Sequence, residues 1–269
     1  LREQVKRGKF RPEGYELVFS AANHLDAAQF VLNEEERMHL RGRIDRMDTY
    51  TTNEKVYVKI IDYKTGNTSF QLLNLYHGLQ LQLVVYLNAA LEVTAKKYPQ
   101  KTAVPAGIFY YHVDDPYAEG RAEMSEEEIG EEILQRLKLD GIVNSEEDVW
   151  RAMDTEMESE SHVIPVKLKK DGTISATSKT LSETAFSNVG AFATEKIKEL
   201  GNGMLGGNIA AEPYLLDSKS GCDYCAYRSI CGFDAKIPGY HYHELEKNLK
   251  DNDILKKISE DLTNKGGGE

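Results

Sequence analysis

Apolar and polar residues alternate over positions 14–19, GYELVF, and again over 38–48, MHLRGRIDRMD, the period of two strands that each bury one face. The next run, VYVKIIDYK at 56–64, is β-branched and aromatic enough for a third strand, and the polar TYTTNE before it predicts a hairpin connection. From about Leu72 to Tyr98 the apolar spacing lengthens to three and four residues, through Leu75, Leu79, Leu83, Tyr86 and Ala90. That period predicts one helix crossing from the third strand to the next. PAGIFYYHVDD, 105–115, predicts a further buried strand, opened by Pro105 and Gly107 and closed by the turn residues Asp114, Asp115 and Pro116.

Beyond it the pattern loosens. Residues 121–161 are rich in acids and predict a surface excursion, with one helix from Glu126 to Leu137 and an Asp140-Gly141 turn behind it. SHVIPVKLKKDGTIS, 161–175, reads as a hairpin turning at Asp171-Gly172, and Ser182 to Leu200 as an amphipathic helix. Residues 242–264 read as a charged helical tail, and no internal repeat or low-complexity tract interrupts the chain. The fold class is α/β, a mixed central sheet flanked by helices.

Composition narrows the function. At 269 residues and 41% hydrophobic content the chain has the make-up of a well-cored globular protein. No run approaches the roughly 18 to 20 apolar residues of a membrane helix and no signal sequence opens the chain, so a cytoplasmic location with no membrane partner is expected. The opening Leu1-Arg2-Glu3, without an initiator methionine, and the closing Gly266-Gly267-Gly268-Glu269 suggest a piece of a longer protein. With 33 basic against 44 acidic residues the net charge is -11, the wrong sign for a generic nucleic-acid surface. Any reading that involves DNA must rest on local chemistry.

That chemistry lies on the hairpin. Asp45 sits in one strand, and Asp62 and Lys64, two residues apart and therefore on one face, close the next. Two carboxylates bind a hard divalent cation that takes oxygen ligands and keeps several waters, and a lysine beside them can orient a water or stabilise charge on phosphorus. A lone Asp-x-Lys is an ordinary strand end. Here an apolar strand precedes each acid, a turn follows the lysine, and a helix then carries Gln82 and Tyr86 on one face at i,i+4.

Taken together, GRIDR, IIDYKTG and GLQLQLVVYL resemble the motifs of the PD-(D/E)xK nuclease superfamily in its RecB-like branch. With PAGIFYYHVDDP, LKLDGIVNSEEDVWRAMD and the cysteine run added, residues from about 10 to 235 resemble the nuclease domains of AddB-type subunits of helicase-nucleases. The resemblance implies a restriction-endonuclease-like core over 1–235, with an excursion at 115–205, an iron–sulfur-type cysteine segment at 218–235 and a charged tail at 236–269. It implies Asp45 and Asp62 as ligands of Mg²⁺ or Mn²⁺, the Tyr63 carbonyl completing the shell, Lys64 as the catalytic lysine, and Gln82 and Tyr86 as the auxiliary motif. Glu16 and His24 are the local candidates for an upstream metal-touching residue.

GCDYCAYRSICGFD spaces Cys222, Cys225 and Cys231 so that three thiolates can fold back on one centre, with glycines on both flanks. Zinc and 4Fe–4S centres ordinarily take four ligands. In AddB-type domains the first cluster cysteine lies far upstream and the cluster staples the domain's two ends; this chain has no such cysteine. The cluster is therefore expected to be incomplete here and the 218–235 segment disordered, unless His241 or His243 substitutes. Lys219 and Arg228 flank the thiols where a phosphate contact would suit them.

The function implied by the resemblance is a metal-dependent DNA exonuclease, part of an ATP-dependent helicase-nuclease that processes double-strand breaks for recombinational repair. Its partners would be DNA ends and an AddA-type subunit in a heterodimer, and it would cut the 5′-ended strand. The chain contains no Walker A pattern, so ATP hydrolysis would belong elsewhere. The rivals are a stand-alone Cas4-like or RecB-like exonuclease, a catalytically silent DNA-end-binding scaffold, and a zinc-binding interaction module around 222–243.

Overall fold

A computed structural model describes residues 2–20, 25–113, 116–117 and 124–266 of the chain. After a short helix α1 (Arg2–Arg7), strand β1 (Arg11–Phe19) and the small ribbon of β2 (Gln29–Val31) and β3 (Arg37–His39) lead into β4 (Gly42–Thr51) and β5 (Lys55–Lys64). Helices α2 (Leu72–Tyr76) and α3 (Gln82–Lys97) follow, then β6 (Thr102–His112), α4 (Glu126–Arg136), β7 (Asp140–Asn144), α5 (Glu147–Met153), β8 (Thr180–Leu181) and α6 (Glu183–Leu205). The C-terminal part holds β9 (Tyr214–Leu216), β10 (Lys219–Ser220), α7 (Arg228–Cys231), β11 (His243–Glu244) and α8 (Asp251–Gly266).

Six strands form one mixed sheet in the order β1-β4-β5-β6-β7-β8. β5 and β6 run parallel through the α3 crossover, as do β7 and β8, and the other neighbours are antiparallel. Both faces are covered, which explains why β5 is apolar on each side: Val58 and Ile60 join the core under α2, α3, α6 and α8, while Tyr57 and Ile61 join the core around Trp150 and Phe109.

Strands β1, β4 and β5, the crossover and the Ser182-capped helix α6 agree with the periodicity, but the run read as one strand over 38–48 is broken at residues 40–41, since Met38 and His39 belong to the β2–β3 ribbon. Helix α4 also starts where predicted, on a capping box between Ser125 and Glu128. The helix expected from Leu72 to Tyr98 is instead two. Gly78 adopts φ 79° and closes α2 with a Schellman motif, Leu79 N–H donating to Asn74 O at 2.7 Å and Gly78 N–H to Leu75 O at 2.8 Å.

Three readings of the later chain need correction. Asp140-Gly141 is no turn but the start of β7, paired with β6. A Cβ on Gly141 would lie 2.0 Å from the Ile108 carbonyl oxygen, so glycine is there for close strand approach. The segment read as a surface excursion places Leu139, Val149, Trp150 and Met153 in the core of the sheet's far face, and only α4 within it buries nothing. Residues 161–175 form isolated bridges, Glu160 with Lys167 and Leu168 with Ile174, in place of a hairpin ladder, although the chain does turn at Gly172. The acids of 121–161 disguise these core positions because their charges occupy the intervening exposed ones.

The charged tail is likewise part of the domain. Its helix starts at Asp251, after a strand at His243–Glu244, and buries Ile254 and Ile258 completely against the core that α2 and α6 share. The predicted Asp114-Asp115 stop lies outside the described residues. No helix among the described residues is long and apolar enough to cross a membrane.

Candidate active site

The register of the sheet builds the site. Arg46 pairs with Ile61 across β4 and β5, so one step outward Asp45 stands opposite Asp62; the parallel β5–β6 ladder pairs Asp62 with Tyr110, and β6–β7 pairs Tyr110 with Asp140. Asp45, Asp62, Tyr110 and Asp140 thus form one row across four strands. Asp62 is only 3% exposed, and its Oδ2 is buried without a hydrogen bond of acceptable geometry. Its charge partner is Lys64, whose Nζ lies 2.5 Å from that oxygen.

Lys64 continues the chain of contacts outward. Its Nζ donates to Gln82 Oε1 at 3.1 Å, and Gln82 Nε2 donates to the Tyr86 hydroxyl at 2.9 Å. Gln82 opens α3 and Tyr86 follows one turn later, packing edge-on against Phe19 of β1 at 5.7 Å between ring centroids. Asp45 is anchored from the opposite side, its Oδ2 accepting the Tyr63 backbone N–H at 2.9 Å.

The electrostatics follow from this placement. Burial pushes the Asp62 carboxyl above the usual aspartate range; Lys64 opposes the shift and the nearby Asp45 adds to it. Tyr110 is pushed up to about 12 by burial first, and then by the Asp62 and Asp140 carboxylates.

The five side chains expected at the site, Asp45, Asp62, Lys64, Gln82 and Tyr86, stand together, and Tyr63 joins them through its backbone N–H. Glu16 does not turn toward them. It lies opposite Asp45 on β1 with φ 51° and reaches Arg43 at 2.8 Å. His24 lies outside the described residues.

The sequence reading missed two members of the row. Tyr110 packs its ring under the Lys64 ammonium, and Asp140 fixes the loop after Lys64 by accepting from Phe70 N–H at 2.9 Å and Lys179 Nζ at 2.6 Å. The alternation through GIFYYH and the β-branched run after Asp140 were the available signals.

The donor set beside Lys64 fits a hard divalent cation: two neighbouring carboxylates, one with a buried oxygen that no well-aligned hydrogen-bond donor satisfies. The cysteine segment does not fit a cluster as it stands. Cys222 is half-buried and Cys225 and Cys231 are exposed free thiols, and among the described residues no three His, Cys, Asp or Glu side chains converge as a metal group. His241 approaches Glu212 at 3.7 Å and His243 belongs to β11. The segment itself is described as turns, β10 and the short α7, with Lys219 in β10 and Arg228 opening α7, in place of the expected disorder.

Over 266 residues the chain is 34% identical to the B subunit of the ATP-dependent helicase/deoxyribonuclease of Thermoanaerobacter sp. (strain X514), covering 99% of this chain and 23% of that protein. It is 39% identical over 246 residues to the protein of the same name from Caldanaerobacter subterraneus subsp. tengcongensis, covering 91% of the chain and 21% of that relative. With the Listeria innocua protein of that name it shares 35% identity over 260 residues, 96% of the chain and 22% of the relative. The chain therefore spans less than a quarter of the length of these curated relatives. Residues 1–232 match the family model of the PD-(D/E)XK nuclease superfamily, and with its mixed sheet flanked by helices and its hairpin acids the chain belongs to that superfamily.

Proposed function

We propose that this chain is the nuclease domain of an ATP-dependent helicase-nuclease, hydrolysing DNA phosphodiester bonds at double-strand breaks, on the 5′-ended strand, for recombinational repair. The carrying observation is the continuous polar chain Asp62–Lys64–Gln82–Tyr86 standing beside Asp45 at one end of the central strands. The relatives named as helicase/deoxyribonuclease components support it. That those relatives are named as B subunits supports a partner subunit; on our reading it is an AddA-type helicase-nuclease subunit, joined in a cytoplasmic heterodimer, which would bring the ATPase and further DNA-binding surfaces that a chain of net charge -11 lacks.

Asp45, Asp62 and the Tyr63 carbonyl would hold Mg²⁺ or Mn²⁺. When bound, the cation polarises the scissile phosphate and neutralises charge gathering on its oxygens. The protein's own groups do the rest. Lys64 has three ammonium protons; Gln82 Oε1 accepts one, the ion pair with Asp62 holds the charge in place, and the ammonium keeps a proton free to orient the attacking water or to meet a phosphate oxygen. Tyr86 accepts from the Gln82 amide nitrogen, which turns the amide oxygen toward Lys64 and fixes the sense of the chain. In the step itself a water oxygen bonds to phosphorus and gives up a proton to solvent, as the bond to the leaving-group oxygen breaks and that oxygen takes up a proton from solvent. No step is assigned to the three cysteines.

The test is cleavage of end-labelled linear DNA, in Mg²⁺ and in EDTA, by the full-length protein with its partner subunit, as parent and as Lys64→Ala. Metal-dependent cutting of the 5′-ended strand that falls by roughly a thousandfold in Lys64→Ala is expected. Undiminished cutting by folded Lys64→Ala and Asp62→Ala proteins would remove the hairpin from the reaction.

A further inference from the structure

Lys64 carries its charge on a flexible four-carbon stem, and the two side chains that grip it leave it free to swing about their common direction. One further group limits that swing. The Lys64 ammonium lies over the ring of Tyr110, 5.2 Å from its centroid. The ring itself has little freedom: Tyr110 is 3% exposed, its backbone is paired on both sides within the sheet, and Phe70 packs against it with ring centroids 6.5 Å apart. A rigid ring face with negative quadrupole potential therefore forms the floor of the lysine's position.

We propose that Tyr110 is a positioning residue, whose ring face holds the Lys64 ammonium at the height where Asp62 and Gln82 meet it. The proposal rests on the reading of Lys64 as the group that acts at the phosphate. It assigns the effect to the ring and not to the hydroxyl, because it is the ring that lies under the ammonium.

Two measurements separate this proposal from the functional reading beneath it. The first is the chemical shift of the Lys64 Hε protons in this chain, labelled at lysine and assigned through Lys64→Arg. The ring current of Tyr110 should displace these protons upfield, equally in Tyr110→Phe, and the displacement should vanish in Tyr110→Leu. The second is single-turnover DNA cleavage by the full-length protein with its partner subunit. Tyr110→Phe should keep the rate within about twofold of the parent, whereas Tyr110→Leu should lose roughly three- to thirtyfold with DNA affinity unchanged. Should Tyr110→Leu fail to fold, phenylalanines with successively more ring fluorines at position 110 keep the shape while draining the ring face of charge, and the rate must fall step by step. An unmoved Lys64 resonance in Tyr110→Leu, a Phe variant as slow as the Leu variant, or a flat fluorine series would each overturn the proposal. A Lys64→Ala protein that still cuts would instead overturn the functional reading, leaving the resonance shift to decide where Tyr110 holds the lysine.

Discussion

Replacing Asp48 with asparagine tests whether the hairpin under the site is held by charge. On the far face of β4 and β5, away from the row of Asp45 and Asp62, Arg46 donates to both Asp48 oxygens at 2.6 and 2.8 Å, and Lys59 Nζ lies 3.0 Å from the same carboxylate. All three side chains are at most 5% exposed, so two cations share one anion out of water. The Asp48→Asn change would keep the shape and remove the cluster's negative charge, and breaking a buried pair from one side costs about 3–5 kcal/mol. At about 2–4 °C per kcal/mol for a domain of this size, the melting temperature should fall by roughly 6–20 °C. Lys59 adds a pH signature. Burial pulls its pKa below the ordinary 10.5, so the unfolded chain binds the proton more tightly and stability rises with pH between the lowered folded value and 10.5. Without Asp48 the folded value drops further, and the variant's deficit should narrow as pH is raised through that window. Thermal and urea unfolding at several pH values read both effects. Removing all three charges together, as Arg46→Met, Asp48→Leu and Lys59→Met, should recover most of the loss. A deficit of under about 1 kcal/mol, unchanged with pH, would refute the electrostatic account.

Asp62→Asn should abolish cleavage yet unfold at the same or higher denaturant concentration than the parent. Its folded pKa is raised, so the stability linked to this group is present below the ordinary 3.8 and lost as pH rises through the folded value; the variant's advantage should therefore be larger at neutral pH than at pH 4. Gln82→Ala should leave the melting curve almost unmoved and slow single-turnover cleavage by roughly ten- to a hundredfold, because Lys64 loses the acceptor that aims it. Gly141→Ala should cost about 3 kcal/mol or more in urea unfolding, since its Cβ would stand 2.0 Å from the Ile108 carbonyl oxygen, a backbone atom that cannot rotate away. Ile258→Ala should cost about 2–5 kcal/mol by the same measurement if α8 belongs to the domain core, and nearly nothing if the helix were only a solvated tail.

What was legible in the sequence was local or periodic. Asp45, Asp62 and Lys64 could be placed together because strand alternation fixes side-chain direction within a few residues, and Gln82 with Tyr86 because four residues make about one helical turn. The break between α2 and α3 was signalled only by Gly78, whose left-handed backbone ends a helix that apolar spacing alone would continue. Residue preference misled at Asp140-Gly141, where glycine serves close approach of two strands. The contacts of Asp140 could not be read at all, since its partners lie 70 and 39 residues away in sequence. Tyr110 under Lys64 follows from the parallel β5–β6 register, which no local pattern specifies. Arg46, Asp48 and Lys59 look like ordinary solvent-facing charges in a strand until the far face of the sheet is covered by Trp150 and its neighbours.

The two charged clusters of the hairpin belong to one problem of register. Because strand side chains alternate, a slip of one residue between β4 and β5 would move every side chain of one strand to the other face. Arg46 would then stand beside Asp62 where Asp45 belongs, replacing a carboxylate with a cation, and the carboxylate pair proposed to hold the metal would be lost. The apolar residues resist such a slip weakly, since β5 is hydrophobic on both faces and Tyr57, Val58, Ile60 and Ile61 would bury either way. The charges resist it strongly. With β4 slipped, Arg46 and Asp48 would cross together to the face of the candidate site, and Lys59 would stay behind in a dry core without its anion, the same loss expected of Asp48→Asn. On this account the far-face network selects the register that sets Asp45 beside Asp62, and it stabilises the candidate site without touching it.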